Sequence, residues 1–115
     1  MTNAFSTSTD PADNGLVLTV RGELDVATAP RLRVRIGELT LTSGQLLVVD
    51  LAGVTFCDSS GISALIAARN AAEAAEAKVA LVAVPARLTR TLALTGLADF
   101  FPTYPTAGEA ISAHG

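Results

Sequence analysis

Apolar and polar positions alternate from Leu16 to Arg21, with Leu16, Leu18 and Val20 set against Val17, Thr19 and Arg21. A period of two predicts a strand with one buried face. Asn14-Gly15, just before it, is a hairpin signal, and Phe5 with its neighbours is a candidate short partner strand across that turn. Residues 6–15 otherwise read as a turn-rich polar segment. Gly22-Glu23-Leu24-Asp25 breaks the strand. Thr28 then reads as an N-cap with Pro30 in the first helical turn, and Ala29, Leu32, Ile36 and Leu39 recur at helical spacing. That helix should end by Ser43-Gly44.

The run Leu46-Leu47-Val48-Val49 is short, apolar and rich in β-branching, which suits a central strand over 45–51 buried on both faces. Asp50, at its end, is a candidate acceptor for turn N–H groups. A second helix is predicted from about Ser60 to Ala77. Ile62, Leu65 and Ile66 form its apolar stripe, Arg69 can add its aliphatic stem, and the Ala-rich second half supplies helix propensity. Val79 to Val84 is a second buried strand. Pro85 opens a third helix with Leu88, Leu92 and Thr95 on one face and Gly96 as its stop. Phe100-Phe101 leads into a short extended piece. Thr106 and Glu109 match a capping box before a short final helix carrying Ile111. Strands alternating with helices define an α/β class with a mixed sheet.

The length of 115 residues suits a single core, divided into a polar segment over 1–14 and a folded domain over 15–112. Aromatics make up only 4% of the chain and Trp is absent, so Ala, Leu, Val and Ile must build that core. A net charge of -3 argues against a nucleic-acid surface, because phosphate contacts need clustered cations. Arg31, Arg33 and Arg35 are the one local basic run, and they read as a solvated helix face. A single cysteine forms no intrachain disulfide and suits a reducing compartment. The polar N-terminus lacks the basic and apolar regions of a signal peptide, and no apolar run approaches the roughly 20 residues of a membrane helix. A cytoplasmic protein that makes no membrane contact is the expectation.

Catalytic equipment is sparse. His114 is the only histidine and lies where chains fray, so a Ser–His–Asp triad lacks its base and no catalytic residue is assigned. A zinc site needs more ligands than one Cys and one His, and no Gly-rich phosphate loop is present, so neither a metal nor a cofactor is expected. Cys57 reads as a small core thiol at a strand end, with a redox role as the sharper alternative. That leaves Asp58-Ser59-Ser60-Gly61, which sets two hydroxyls at a helix N-terminus. Asp58 or Ser59 can cap the helix, and Gly61 permits a close approach by its first turn. A serine there can equally be a nucleophile or a phosphate acceptor.

Together these segments resemble a known family. Gly22-Glu23-Leu24-Asp25, then Asp50 through Phe56 with Asp58-Ser59-Ser60-Gly61, then Pro85 through Leu97, follow the order and spacing of a stand-alone STAS domain of the bacterial anti-sigma factor antagonist type. The resemblance covers roughly residues 15–112. It implies a four- or five-stranded mixed sheet with helices mainly on one side. It also implies a partner, an anti-sigma factor that is a serine kinase, whose capture frees a sigma factor. The kinase would phosphorylate the first serine after the aspartate, Ser59, with Ser60 as the rival position, and a phosphatase would reset the pair. The implied partner surface comprises Glu23, Asp25, Asp58, Ser59, Ser60, Gly61 and Ser63. A STAS scaffold without a phosphorylation switch is the alternative. Two positions depart from the family pattern. Ser63 stands where glycine is common, and Glu76-Ala77-Lys78 replaces a glycine-containing link, which should tighten that connection.

Overall fold

A polar hairpin opens the chain. In the computed structural model, which describes residues 4–115, β1 (Ser6–Ala12) pairs antiparallel with β2 (Gly15–Leu24) across the two-residue turn Asp13-Asn14, one position before the expected Asn14-Gly15. The segment over 6–12 that reads as turn-rich is therefore a strand. Its β-branched threonines favour the extended backbone, and Pro11 is tolerated because β1 is an edge strand. Phe5 lies just before β1 and is buried, with the Arg31 guanidinium 5.1 Å from its ring centroid. Residues 1–3 of the predicted N-terminal segment lie outside the described residues.

β2 does not break at Gly22. It continues to Leu24 through register shifts against β3 (Leu46–Cys57) between Thr19 and Arg21 and between Gly22 and Glu23. Gly22 adopts φ +94, and a Cβ there would stand 2.9 Å from the Phe5 Cα. β3 is also longer than its apolar run, so Asp50 sits within the strand, where its Oδ1 accepts from the Ala52 N–H at 3.0 Å. β4 (Lys78–Val82) and the two-residue β5 (Thr103–Tyr104) complete a five-stranded sheet in the order β1-β2-β3-β4-β5, parallel from β2 onward.

Alternate residues of the central strands feed two cores. Leu18, Val20, Leu47, Val49, Leu51, Val79 and Leu81 pack under α1 (Ala29–Glu38), α2 (Ser59–Ala74) and α3 (Ala86–Leu94). Leu46, Val48, Ala80 and Val82 pack on the opposite face against Ala110 and Ile111 of α4 (Ala107–His114). Three helices therefore cover one face and one short helix part of the other. Ala64, Ala68 and Ala72 of α2 are buried in the main core, where small side chains bring the helix close to the sheet.

Local chemistry departs from the sequence pattern in four places. Thr28 precedes α1 but makes no side-chain cap bond. Glu76 adopts φ +58 in the short link between α2 and β4, so this connection turns through the left-handed region without a glycine. Thr95 is the exposed C-cap residue of α3, not part of its buried face, which is Leu88 and Leu92. His114 does not fray: it ends α4, with Nε2 2.9 Å from the Gly44 carbonyl oxygen. Arg69 is half-buried, with its guanidinium stacked 3.9 Å from the Phe100 ring centroid while pairing with Glu73.

Candidate functional site

Parallel pairing brings the two polar turns together. Glu23 is the register partner of Phe56, and Leu24 that of Cys57, so β2 and β3 end side by side. The Asp58 N–H then donates to the Leu24 carbonyl at 3.2 Å, tying one turn to the other. Gly61 completes the junction. A Cβ there would lie 2.6 Å from the Cys57 Sγ, 2.7 Å from the Leu24 Cγ and 2.9 Å from the Leu24 oxygen. Only glycine lets the first turn of α2 seat against the end of β2 at this distance.

Asp58 is the N-cap of α2. Its Oδ1 accepts from the Ser60 N–H at 2.8 Å and the Gly61 N–H at 3.3 Å. Ser59 is the first helical residue and is exposed, whereas Ser60 is half-buried and Gly61 is buried. Ser63 is exposed one turn further along. The helix N-terminus is therefore already served by a carboxylate, and its Ser60 and Gly61 N–H groups are committed to it.

Glu23 and Asp25 play different parts. Glu23 is exposed, and its carbonyl accepts from the Thr28 hydroxyl at 2.7 Å. Asp25 is half-buried, and its Oδ1 accepts from the Ala27 and Thr28 N–H groups at 3.0 and 3.1 Å. Its own carbonyl takes the Ala29 N–H at 2.7 Å. Asp25 thus holds the turn that leads into α1, and the Thr28 hydroxyl turns back to the strand end. The reason is geometric: an aspartate at the strand end reaches the N–H groups two and three residues on, forming an Asx turn.

Periodicity alone did not single out two residues at this site. Val26 follows Asp25 and is 74% exposed. Arg33 lines a shallow cleft between α1 and α2 with Val26, Ser60 and Ser63. Its neighbours in the basic run are engaged elsewhere, Arg31 over Phe5 and Arg35 with Thr7 and Glu38. The exposed valine between two turn residues was the available signal for Val26. Nothing in the sequence marked Arg33 apart from Arg31 and Arg35.

Cys57 is half-buried beneath this turn. Burial, followed by the nearby Asp58 carboxylate, pushes its thiol up to about 11. The thiolate required for redox sensing is therefore disfavoured, which supports the core-thiol reading. His114 is at the N-terminal end of β3, beside Gly44, while Ser59 follows the C-terminal end of that strand. A strand of this length spans roughly 35 Å, so His114 cannot act as a base for Ser59. Among the described residues, no group of three or more His, Cys, Asp or Glu side chains converges, and no helix is long and apolar enough to cross a membrane.

An α/β domain with a mixed five-stranded sheet and a capped serine turn at the end of its third strand is the class defined by this geometry. The STAS domain model matches residues 6–110, and the chain belongs to that family. An anti-sigma factor antagonist from Mycobacterium paratuberculosis has a similar solved structure, with a TM-score of 0.82 and 34% identity, covering 96% of this chain and 93% of that one. The anti-sigma-B factor antagonist of Listeria monocytogenes is 29% identical over 90 residues, 78% of this chain and 79% of the relative. The anti-sigma-F factor antagonist RsfB of Mycobacterium tuberculosis is 42% identical over 55 residues, 47% of this chain and 45% of the relative.

Proposed function

We propose that this domain is a cytoplasmic anti-sigma factor antagonist that captures an anti-sigma factor serine kinase and is released from it by phosphorylation of Ser59. The observation that carries the reading is the exposure of Ser59 as the first residue of α2, directly after a cap that already holds the helix N-terminus. In the transfer step the Ser59 hydroxyl oxygen attacks the γ-phosphorus of kinase-bound ATP. The bond to the β,γ-bridging oxygen breaks, ADP leaves, and the hydroxyl proton passes to a base on the kinase.

The electrostatics explain why one phosphate would act as a switch. It adds about -1.5 to -2 charges at pH 7. A helix N-terminus ordinarily welcomes an anion. Here the Ser60 and Gly61 N–H groups are already bonded to the Asp58 carboxylate, so a phosphate on Ser59 meets a negative charge first. Glu23 and Asp25 add to the same acidic edge. Burying that sum of charge against a partner is costly, while the domain itself has no cause to unfold. Ser60 is the weaker acceptor because it is half-buried and its N–H is part of the cap. Glu23, Asp25, Asp58, Ser60, Gly61 and Ser63 form the surrounding contact surface. A phosphatase acting on phospho-Ser59 would restore binding, and the domain itself catalyses nothing.

The test is incubation with recombinant anti-sigma factor serine kinases and ATP, followed by intact-mass and peptide mass spectrometry. One phosphoryl group on Ser59, with Ser59→Ala still binding and Ser59→Asp binding at least about tenfold more weakly, is the expected result. Absence of modification with every kinase, or equal affinity of the two variants, would replace the switch with a scaffold.

A further inference from the structure

A small cavity of about 70 Å³ opens beside the serine turn, between the end of β3 and the start of α3. Thr55, Phe56, Cys57, Arg87, Leu88 and Thr91 line it. Phe56 is 45% exposed, whereas Phe5 and Phe101 are buried and Phe100 is covered by Arg69. An aromatic ring left open in a chain this poor in aromatics marks a contact surface, since aromatics and arginine are enriched at interfaces. The ring also adjoins the proposed Ser59 surface directly, because Phe56 is the register partner of Glu23.

Charge indicates what fits there. α3 carries Arg87 and Arg90 and no carboxylate, in a chain whose net charge is -3. The ion pairs found among the described residues use Arg35 and Arg69, and neither arginine of α3 takes part. Thr91 donates its hydroxyl to the Arg87 carbonyl, and none of the residues lining the cavity beside Arg87 carries a carboxylate. The face is therefore bipolar: acidic at Glu23, Asp25 and Asp58, apolar at Phe56, basic at Arg87.

We propose that the partner surface extends from Ser59 across Phe56 to α3, and that the partner seats an apolar side chain at the cavity with an adjacent carboxylate paired to Arg87. This rests on the kinase-partner reading above and adds the chemistry of the partner segment. A bipolar face admits its partner in one orientation, because reversing it would set acid against acid and base against base. It also gives the phosphate a fixed distance from a contact that does not change with the switch.

Affinities of the full chain and its variants for a panel of recombinant anti-sigma factor serine kinases test it, with thermal melts confirming that each variant folds. Phe56→Ala and Arg87→Glu should each weaken binding by about tenfold or more. Arg87→Lys should stay within about threefold, and the exposed Val34→Ser, on the outer face of α1, within about twofold. If no kinase binds the wild-type chain, the functional reading fails and this extension with it. If wild type binds and both Phe56→Ala and Arg87→Glu match it, the extension alone is overturned. Loss in Phe56→Ala with none in Arg87→Glu also overturns it, because the carboxylate contact is then absent.

Discussion

The Asp58 N–H donates to the Leu24 carbonyl at 3.2 Å, and this bond joins two turns that are far apart in sequence. Leu24 is fully buried, so the junction is anchored in the main core. Burying such a leucine contributes about 1.5–3 kcal/mol. The serine turn is thereby fixed to the Glu23–Asp25 turn by backbone and packing, and neither can shift alone.

Gly61→Ala should disrupt that junction. The added methyl meets the Cys57 Sγ, the Leu24 Cγ and the Leu24 oxygen all within 3 Å, and the last is backbone. A loss of about 1–3 kcal/mol is expected from overpacking, read as a lower midpoint in denaturant unfolding. Gly108, where a Cβ would meet only the Thr106 Oγ1 at 3.9 Å, is the control: Gly108→Ala should match wild type or exceed it.

Asp58→Ala should cost about 0.5–2 kcal/mol, because the Ser60 and Gly61 N–H groups lose their acceptor. Asp58→Asn retains a cap oxygen and should cost less in chemical denaturation. It also removes one negative charge beside Ser59. Phosphorylation should therefore weaken partner binding by a smaller factor in Asp58→Asn than in wild type, as measured by titration of both forms.

The raised Cys57 thiol makes stability fall at alkaline pH. The folded chain keeps the proton up to about 11, while the unfolded thiol releases it near 9.0. Above 9.0 the unfolded state binds fewer protons, so stability declines through that window and levels off beyond about 11. Cys57→Ser should remove this component from the pH profile. In the native protein at neutral pH, iodoacetamide should modify Cys57 far more slowly than it does the unfolded chain.

Glu76→Gly should stabilise the domain by about 0.5 kcal/mol, shown by a higher melting temperature. Glu76 holds φ +58, a conformation that costs an L-residue roughly 1–2 kcal/mol and glycine nothing, less the added entropy of unfolded glycine. The Glu76 carbonyl still accepts the Gly44 N–H at 3.0 Å whatever the side chain. A lower melting temperature would mean that the glutamate side chain compensates for its backbone.

Much of the architecture was legible in local pattern. The runs at 16–21, 46–49 and 79–82 are strands because period-two or continuous apolar segments must bury a face, and 62–66 and 88–92 are helical because their apolar positions recur on one stripe. Asp58 before Ser59-Ser60 was a readable cap, because capping depends on residues a few positions apart. Tertiary context decided the rest. Ser6–Ala12 extends because β2 offers it a ladder, and Asp50 lies inside β3 because the strand continues past its apolar run beside β2. Arg33 parts from Arg31 and Arg35 because α2 packs along one side of α1 while β1 lies on another. The meeting of Leu24 with Asp58 and Gly61, and of Phe56 with Arg87 around one cavity, depends on strand register and helix packing. Those are set by the burial of whole faces, which no short stretch of sequence encodes by itself.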